Sequence, residues 1–374
     1  MVRLKRLSAA LQSACPAADA MLITHPVDIR YLTGFTGSNA ALVVPLERPS
    51  PRKTGLRLRV PKPVMFTDGR YIQQAKEETK HAGVAIAQGP VLREACAWMV
   101  DAGMRRCAFD AEHTTVATLD AMRQWIPGKQ RRSFFQPVAP LAAGLREIKD
   151  TGEIVCLRAA AQLGCRLFED LLTQIEAGKR EVEVAAHLEF AARMAGAEGM
   201  SFETIVASGT RSALPHGTAT EQRMPRRGFV VLDFGVMLKG YCSDMTRTVH
   251  LGRATTAERD AYEAVLEAQL AAIATVRPGV QCGEVDEAAR SVLRRAKLAD
   301  FFTHSTGHGV GLEIHEGPRI AARQQQTLQA GMAITIEPGV YLPGRFGVRI
   351  EDMVLVTRNG GEILTPATKA WIEL

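Results

Sequence analysis

The spacing of hydrophobic and polar positions changes character along this chain, and the changes divide it. Leu4, Leu7, Leu11 and Ala14 fall at helical spacing and predict an amphipathic first helix. From 20 to 140, short β-like runs alternate with helical ones. "AMLITH", "AALVVP", "VMFTDG", "VAIAQG" and "RCAFDA" predict strands; "RYIQQAKEETKHA", "LREACAWMVDAG" and "TTVATLDAMRQWI" predict helices. That alternation is an α/β domain. The stretch "QPVAPLAAGLREIKD", with its prolines and glycine, reads as a connector. The expected domains are 1–143 and 144–374.

Beyond Asp150 the pattern repeats itself. A long helix capped at Asp150 or Thr151 and stopped by Gly178 is followed by the helical "REVEVAAHLEFAARMAGAEG" and then by strands. The order returns with "TTAERDAYEAVLEAQLAAIATVRPG", "GEVDEAARSVLRRAKL" and more strands. The "G-x-x-E-V" at Gly178 and the "G-x-x-x-G-E-V" at Gly279 support an internal repeat of about a hundred residues. Two such halves around a shared sheet place a site at their pseudo-twofold junction.

Each half carries a hairpin with two acids. In "FVVLDFGVMLKGYCSDMTRTV" a turn around Leu238–Lys239–Gly240 sets Met237 opposite Gly240, and in that register Asp233 faces Asp244. In "MAITIEPGVYLPGRFGVRIEDMVLV" a turn centred on Gly344 sets Glu337 opposite Glu351. Like charges directly opposite one another destabilise a ladder. One such pair is a register accident; two in matching places call for bound cations, which turn repulsion into chelation. The segment "FFTHSTGHGVGLEIHEGP" offers His304, His308 and His315 for a fifth ligand, among glycines that admit close backbone approach. An oxygen-rich set with one imidazole suits Mn²⁺, Co²⁺ or catalytic Zn²⁺ better than structural zinc. Paired ions make a bridging hydroxide and clamp a tetrahedral intermediate, which is hydrolysis, most naturally of an amide.

Composition narrows the classes. At 374 residues, two domains are expected; 46% hydrophobic and 23% charged residues are those of a soluble globular chain. No run approaches a membrane span. The basic N-terminus lacks an apolar core long enough for a signal peptide. The net charge of +6 concentrates in 47–62, where Arg48, Arg52, Lys53, Arg57, Arg59 and Lys62 oppose Glu47. Its prolines predict a solvated loop or hairpin, and without interleaved aromatics it does not read as a nucleic-acid surface. Seven scattered cysteines with no C-x-x-C argue for reduced thiols and a cytoplasmic setting. Cys242, near Asp244, reads as a small buried residue.

The ordered set "VLDFG…SDMTRT", "GHGVGLEIHEGP", "TIEPGVY" and "GVRIED" resembles the pita-bread metallopeptidases, and within them the Xaa-Pro aminopeptidases and Xaa-Pro dipeptidases. "DIRYLTGFTGSNAALVV" and "FTDGRYIQQAKEE" resemble that branch's creatinase-like N-terminal domain, "LREIKDTGEI" the entry to its catalytic domain, and "SGTRSALPHG" the segment with its essential histidine. The fold so implied is an α/β N-terminal domain plus an α+β pita-bread catalytic domain with an internal pseudo-twofold repeat.

The resemblance implies two divalent metal ions, Mn²⁺ first with Co²⁺ or Zn²⁺ as alternatives. Asp233, Asp244, His308, Glu337 and Glu351 would hold them, with Asp244 and Glu351 bridging and Glu337 also taking the water's proton. His216, His304 and His315 would act on the substrate carbonyl, the oxyanion and the leaving proline nitrogen. Arg349 would pair a bridging or N-domain carboxylate. The implied partners are proline-containing peptides and a second copy in a homodimer or dimer of dimers, with no nucleic acid and no membrane. The first activity expected is an Xaa-Pro aminopeptidase, with the dipeptidase as alternative. A creatinase-like metal-free hydrolase and a metal-free binding module rank lower, because all five ligands are present.

Overall fold

The computed structural model describes residues 1–46 and 61–374, which form two compact units, Met1–Arg146 and Glu147–Leu374. Apart from Pro61 and Lys62, the basic segment 47–62 lies outside the described residues.

A mixed six-stranded sheet carries the first unit. Its spatial order is Gly83–Ala87, Val64–Asp68, Ala40–Pro45, Ala20–Ile23, Cys107–Asp110 and Phe135–Val138. The five strands expected are all there. The sixth, Phe135–Val138, occupies the stretch that reads as a connector. Pro137 disguises it, and an edge strand is where a proline can stand without breaking a central ladder. The first helix spans Val2–Ala14 and buries Leu4, Leu7 and Leu11. A second helix, Pro26–Thr33, goes unannounced because it is too short to show a period; proline starts it and Gly34 ends it at φ 89°.

Two helices and then strands, twice over, build the second unit. The helix pairs are Thr151–Leu171 with Glu181–Met194, and Thr256–Thr275 with Cys282–Arg295. Asp150 and Thr255 cap their helices through reciprocal bonds with Glu153 and Glu258. The first of these helices passes into a 3₁₀ turn, Leu172–Gln174, and so ends short of Gly178. Each half has its own core. Val230, Leu232 and Phe234 pack with Val184 and Leu188 in one; Ile334, Ile336, Val354 and Val356 pack with Val265 and Val285 in the other. Strand alternation then turns Asp233 away from the first core and Thr335 and Met353 away from the second.

The two hairpins treat the expected registers differently. In the first, Leu238 pairs with Tyr241 and Met237 with Cys242. The turn is Lys239–Gly240, with φ of 52° and 77°, the two-residue form that matches strand twist. Asp233 therefore faces Thr246, not Asp244. The expectation fails by two residues because it did not allow a lysine at positive φ. A two-residue slip leaves every side chain on its own face, so Asp244 keeps the face of Asp233, one pleat along. Close strand contact at Gly235 reinforces the arrangement: a Cβ there would lie 1.8 Å from the Ser243 carbonyl oxygen. The second hairpin follows the expected register, with Gly339 opposite Arg349 and Ile336 opposite Asp352. Glu337 and Glu351 stand opposite each other at the break between its two ladders.

The halves meet edge to edge. The Glu351 N–H donates to the Thr246 carbonyl at 3.1 Å. Thr248 Oγ1 donates to the Arg349 carbonyl at 2.8 Å and accepts from the Arg349 N–H at 3.2 Å.

Candidate metal centre

The junction of the halves brings the acids and one histidine together. Asp244, His308 and Glu351 each offer a ligand atom within 4.8 Å of the others. His308 Nε2 lies 3.6 Å from Asp244 Oδ2 and 3.4 Å from Glu337 Oε1. His308 Nδ1 is 2.9 Å from the Gly309 carbonyl. A carbonyl only accepts, so Nδ1 carries the proton and Nε2 turns a lone pair toward the carboxylates. Two acceptors facing each other is an unfavourable contact that a cation between them reverses. Holding a histidine by its outer N–H is also how metal-ligating imidazoles are oriented.

The carboxylates carry the same signature. Burial, with the charges of Glu351, Asp233 and Glu337, pushes the Asp244 carboxyl well up. Burial, with Glu337 and Asp233, does the same to Glu351. Burial pushes Glu337 up to about 7, against the opposing pull of Arg349. Three carboxyls pushed up together cannot all ionise unaided. Asp233 Oδ1 is buried and has no hydrogen-bond partner among the described residues. An orphaned carboxylate oxygen, a bare imidazole lone pair and mutually repelling acids fit divalent cations.

Arg349 ties this set to the histidines. Its Nη2 lies 2.5 Å from Asp233 Oδ2, its Nη1 donates to the Tyr341 hydroxyl at 2.6 Å and to the Pro215 carbonyl at 3.0 Å, and its Nε donates to Thr246 Oγ1 at 3.1 Å. Its carboxylate is thus Asp233, which the resemblance treats as a non-bridging ligand. Thr246 Oγ1 in turn donates to Glu351 at 2.7 Å. Tyr341 went unnoticed in the sequence, although alternation sets it on the face of Glu337 and Gly339. A Cβ at Gly339 would sit 2.6 Å from the Tyr341 hydroxyl, so glycine opposite Arg349 is what lets the phenol reach the guanidinium.

The three other histidines separate. His304 Nδ1 is 2.8 Å from the Ser305 carbonyl, and its Nε2 is 2.9 Å from the Tyr341 hydroxyl. By the same donor logic, Nδ1 donates and Nε2 accepts. Burial holds His304 down at about 4, so the ring is neutral. His315 is exposed and stands edge-on to His308, ring centroids 4.5 Å apart. His216 is exposed too, in the loop whose Pro215 carbonyl Arg349 holds. It lies near enough to Glu337, His304 and His315 to act on them electrostatically.

A model of metallopeptidase family M24 matches residues 155–358, and one of the creatinase/prolidase N-terminal domain matches 3–148. The chain belongs to metallopeptidase family M24. Its fold is accordingly the two-domain one expected, a creatinase-like domain followed by a pita-bread domain. Peptidases of this family use a dinuclear divalent metal centre. The chain is similar to the Xaa-Pro dipeptidase of Pyrococcus furiosus, 46% identical over 62% of this chain and 66% of the relative. Among solved structures it resembles an Xaa-Pro dipeptidase from Bacillus anthracis, TM-score 0.92 and 37% identity, covering 100% of this chain and 99% of the other. It also resembles an X-Pro aminopeptidase from Thermotoga maritima, TM-score 0.85 and 33% identity, covering 98% and 100%. All seven cysteines are free thiols. Among the described residues no helix is long and apolar enough to cross a membrane.

Proposed function

We propose that this M24 hydrolase is an Xaa-Pro dipeptidase, with its two ions held by Asp233, Asp244, His308, Glu337 and Glu351 and shared through Asp244 and Glu351. The aminopeptidase expected first takes second place. The dipeptidase relative from Bacillus anthracis superposes more closely and is more identical than the aminopeptidase. The observation that carries the metal assignment is the His308 Nε2 lone pair facing Asp244 and Glu337. Oxygen-rich ligation with one imidazole favours Mn²⁺, with Co²⁺ or Zn²⁺ as alternatives.

Ions bound there supply an acidified water and a positive charge for the scissile carbonyl oxygen. The remaining chemistry belongs to the chain. Glu337, facing His308 across the site, is the carboxylate placed to take the water's proton. His216 and His315, exposed beside the acids, are the rings available to hold the carbonyl and to protonate the leaving nitrogen. That nitrogen is proline's and has no N–H of its own, so the site must recognise the ring by shape and deliver a proton. His304 has both nitrogens engaged and acts through Tyr341, keeping Arg349 on Asp233.

The discriminating experiment strips metal, restores Mn²⁺, and compares an Xaa-Pro dipeptide with an Xaa-Pro-Yaa tripeptide. The dipeptide should be cut far faster. A tripeptide cut equally well moves the chain to the aminopeptidases. Hydrolysis of neither, with metal restored, sinks the reading.

A further inference from the structure

The first unit holds a second cluster of imidazoles and carboxylates that the peptidase chemistry does not use. His25 and His113 stack, with ring centroids 3.8 Å apart and planes 16° from parallel. Asp28 Oδ2 lies 3.4 Å from His25 Nδ1. Asp110 Oδ2 lies 2.8 Å from His113 Nδ1. One ligand atom from each of His25, Asp28 and His113 lies within 4.8 Å of the other two.

Local structure explains the convergence. His25 precedes the helix Pro26–Thr33, and Asp28 sits in its first turn. Asp110 ends the strand Cys107–Asp110, and its Oδ1 accepts the Glu112 N–H at 2.8 Å as the chain turns. That turn brings His113 back onto the Asp110 carboxylate. An ionised carboxylate only accepts, so His113 donates from Nδ1 and keeps its lone pair at Nε2. A carboxylate behind a histidine is the arrangement that orients imidazoles on metals.

The charges also suit a cation. Arg146 Nη1 lies 2.5 Å from Asp28 Oδ1, with both side chains buried, and Oδ2 is left facing the rings. Burial pushes the Asp28 carboxyl up, but the His25 contact and Arg146 outweigh it and hold it below the usual range. Asp28 and Asp110 thus set two carboxylates against the rings, and carboxylates at this end of the helix counter its positive dipole.

We propose that His25, His113 and Asp28 bind one divalent transition-metal ion, distinct from the carboxylate-rich centre. Two imidazoles and one carboxylate select Zn²⁺, Ni²⁺ or Cu²⁺ over Mn²⁺. Parallel rings do not aim their lone pairs at one point, so one ring must rotate. His113, whose side chain is 30% exposed, has room to tilt about its hydrogen bond to Asp110 and keep that bond. Bonds of about 2.1 Å require nitrogens about 3.4 Å apart, a modest closing of ligand atoms that now lie within 4.8 Å of one another.

The test is equilibrium dialysis of the full chain against Zn²⁺, counting zinc per chain for the natural protein, His113→Ala and His113→Gln. Glutamine can keep the bond to Asp110 but loses the imidazole lone pair. Both variants should hold one zinc fewer while Mn²⁺-supported Xaa-Pro hydrolysis is unchanged. Asp110→Asn should weaken that same zinc by about 10–100-fold. Equal zinc counts in all three proteins overturn the proposal. Failure of the peptidase reading is separately visible, as hydrolysis missing from every protein.

Discussion

The two acid-bearing hairpins occupy matching places in the repeat but solve the burial of charge differently. In the first, Asp233 is compensated by Arg349, a residue that the second hairpin lends it. In the second, Glu337 makes no direct pair with an arginine or lysine among the described residues; it accepts a 3.3 Å contact from Thr335 Oγ1 and faces His308. Glu351 is held by Thr246, lent by the first hairpin. Each half thus steadies an acid of the other. Symmetry supplies the four carboxylates, and its breaking decides which of them an arginine compensates and which burial pushes up.

The hardest break in this comparison is to remove an acid that both halves share. Asp244→Ala or Glu351→Ala should abolish hydrolysis and lower bound metal, read by metal analysis and activity on one sample. Glu337→Gln should lose about 10²–10⁴-fold in kcat while retaining more metal than either. Full activity in the metal-stripped natural protein would falsify the assignment.

Removing the lent arginine comes next. Arg349→Ala leaves Asp233 buried and uncompensated, and breaking a buried pair in this way typically costs ~3–5 kcal/mol. Urea unfolding of the metal-free variant should show that loss. Saturating Mn²⁺ should recover part of it, because the ions then compensate Asp233. A milder cut is Tyr341→Phe, which removes the link between His304 and Arg349. It should lower kcat by about tenfold, within the ~10–100-fold range of outer-sphere changes, with metal content unchanged.

The smallest effect is a pH dependence that sharpens the contrast. Glu337 is raised in the folded state from 4.5 to about 7, and Asp244 and Glu351 are raised as well. Between 4.5 and about 7 these carboxyls bind more protons in the folded metal-free chain than in the unfolded one, while burial keeps His304 from binding its own. The stability that Glu337 contributes therefore falls as pH rises through that window. The urea midpoint of the metal-free natural protein, taken relative to that of Glu337→Gln at the same pH, should fall as pH rises through the window. A relative midpoint that stays flat or rises would overturn the contrast.

Much of this was legible in the sequence. Helices with regular periods and capping residues, such as the one capped at Asp150 or Thr151, announced themselves. So did strands with clean alternation and the turn at Gly344. The four candidate carboxylates were visible because acids in apolar strands are costly unless something compensates them; His308 was singled out among three nearby histidines only by the family resemblance. Pro137 hid an edge strand, and Pro26–Thr33 was too short to declare a period.

Local pattern fixed faces but not partners. Alternation of period two put Asp233 and Asp244 on one side whichever register held, which is why the wrong register still found the right face. Which residue stands opposite depended on Lys239 adopting a positive φ, a choice settled by strand twist. The joining of Thr246 to Glu351, of Arg349 to Asp233 and of His304 to Tyr341 spans from 37 to 116 residues of chain. Such pairs carry no signal in local spacing. They exist because two separately formed cores bring the uncovered faces of their sheets edge to edge, and buried polar groups must then find one another.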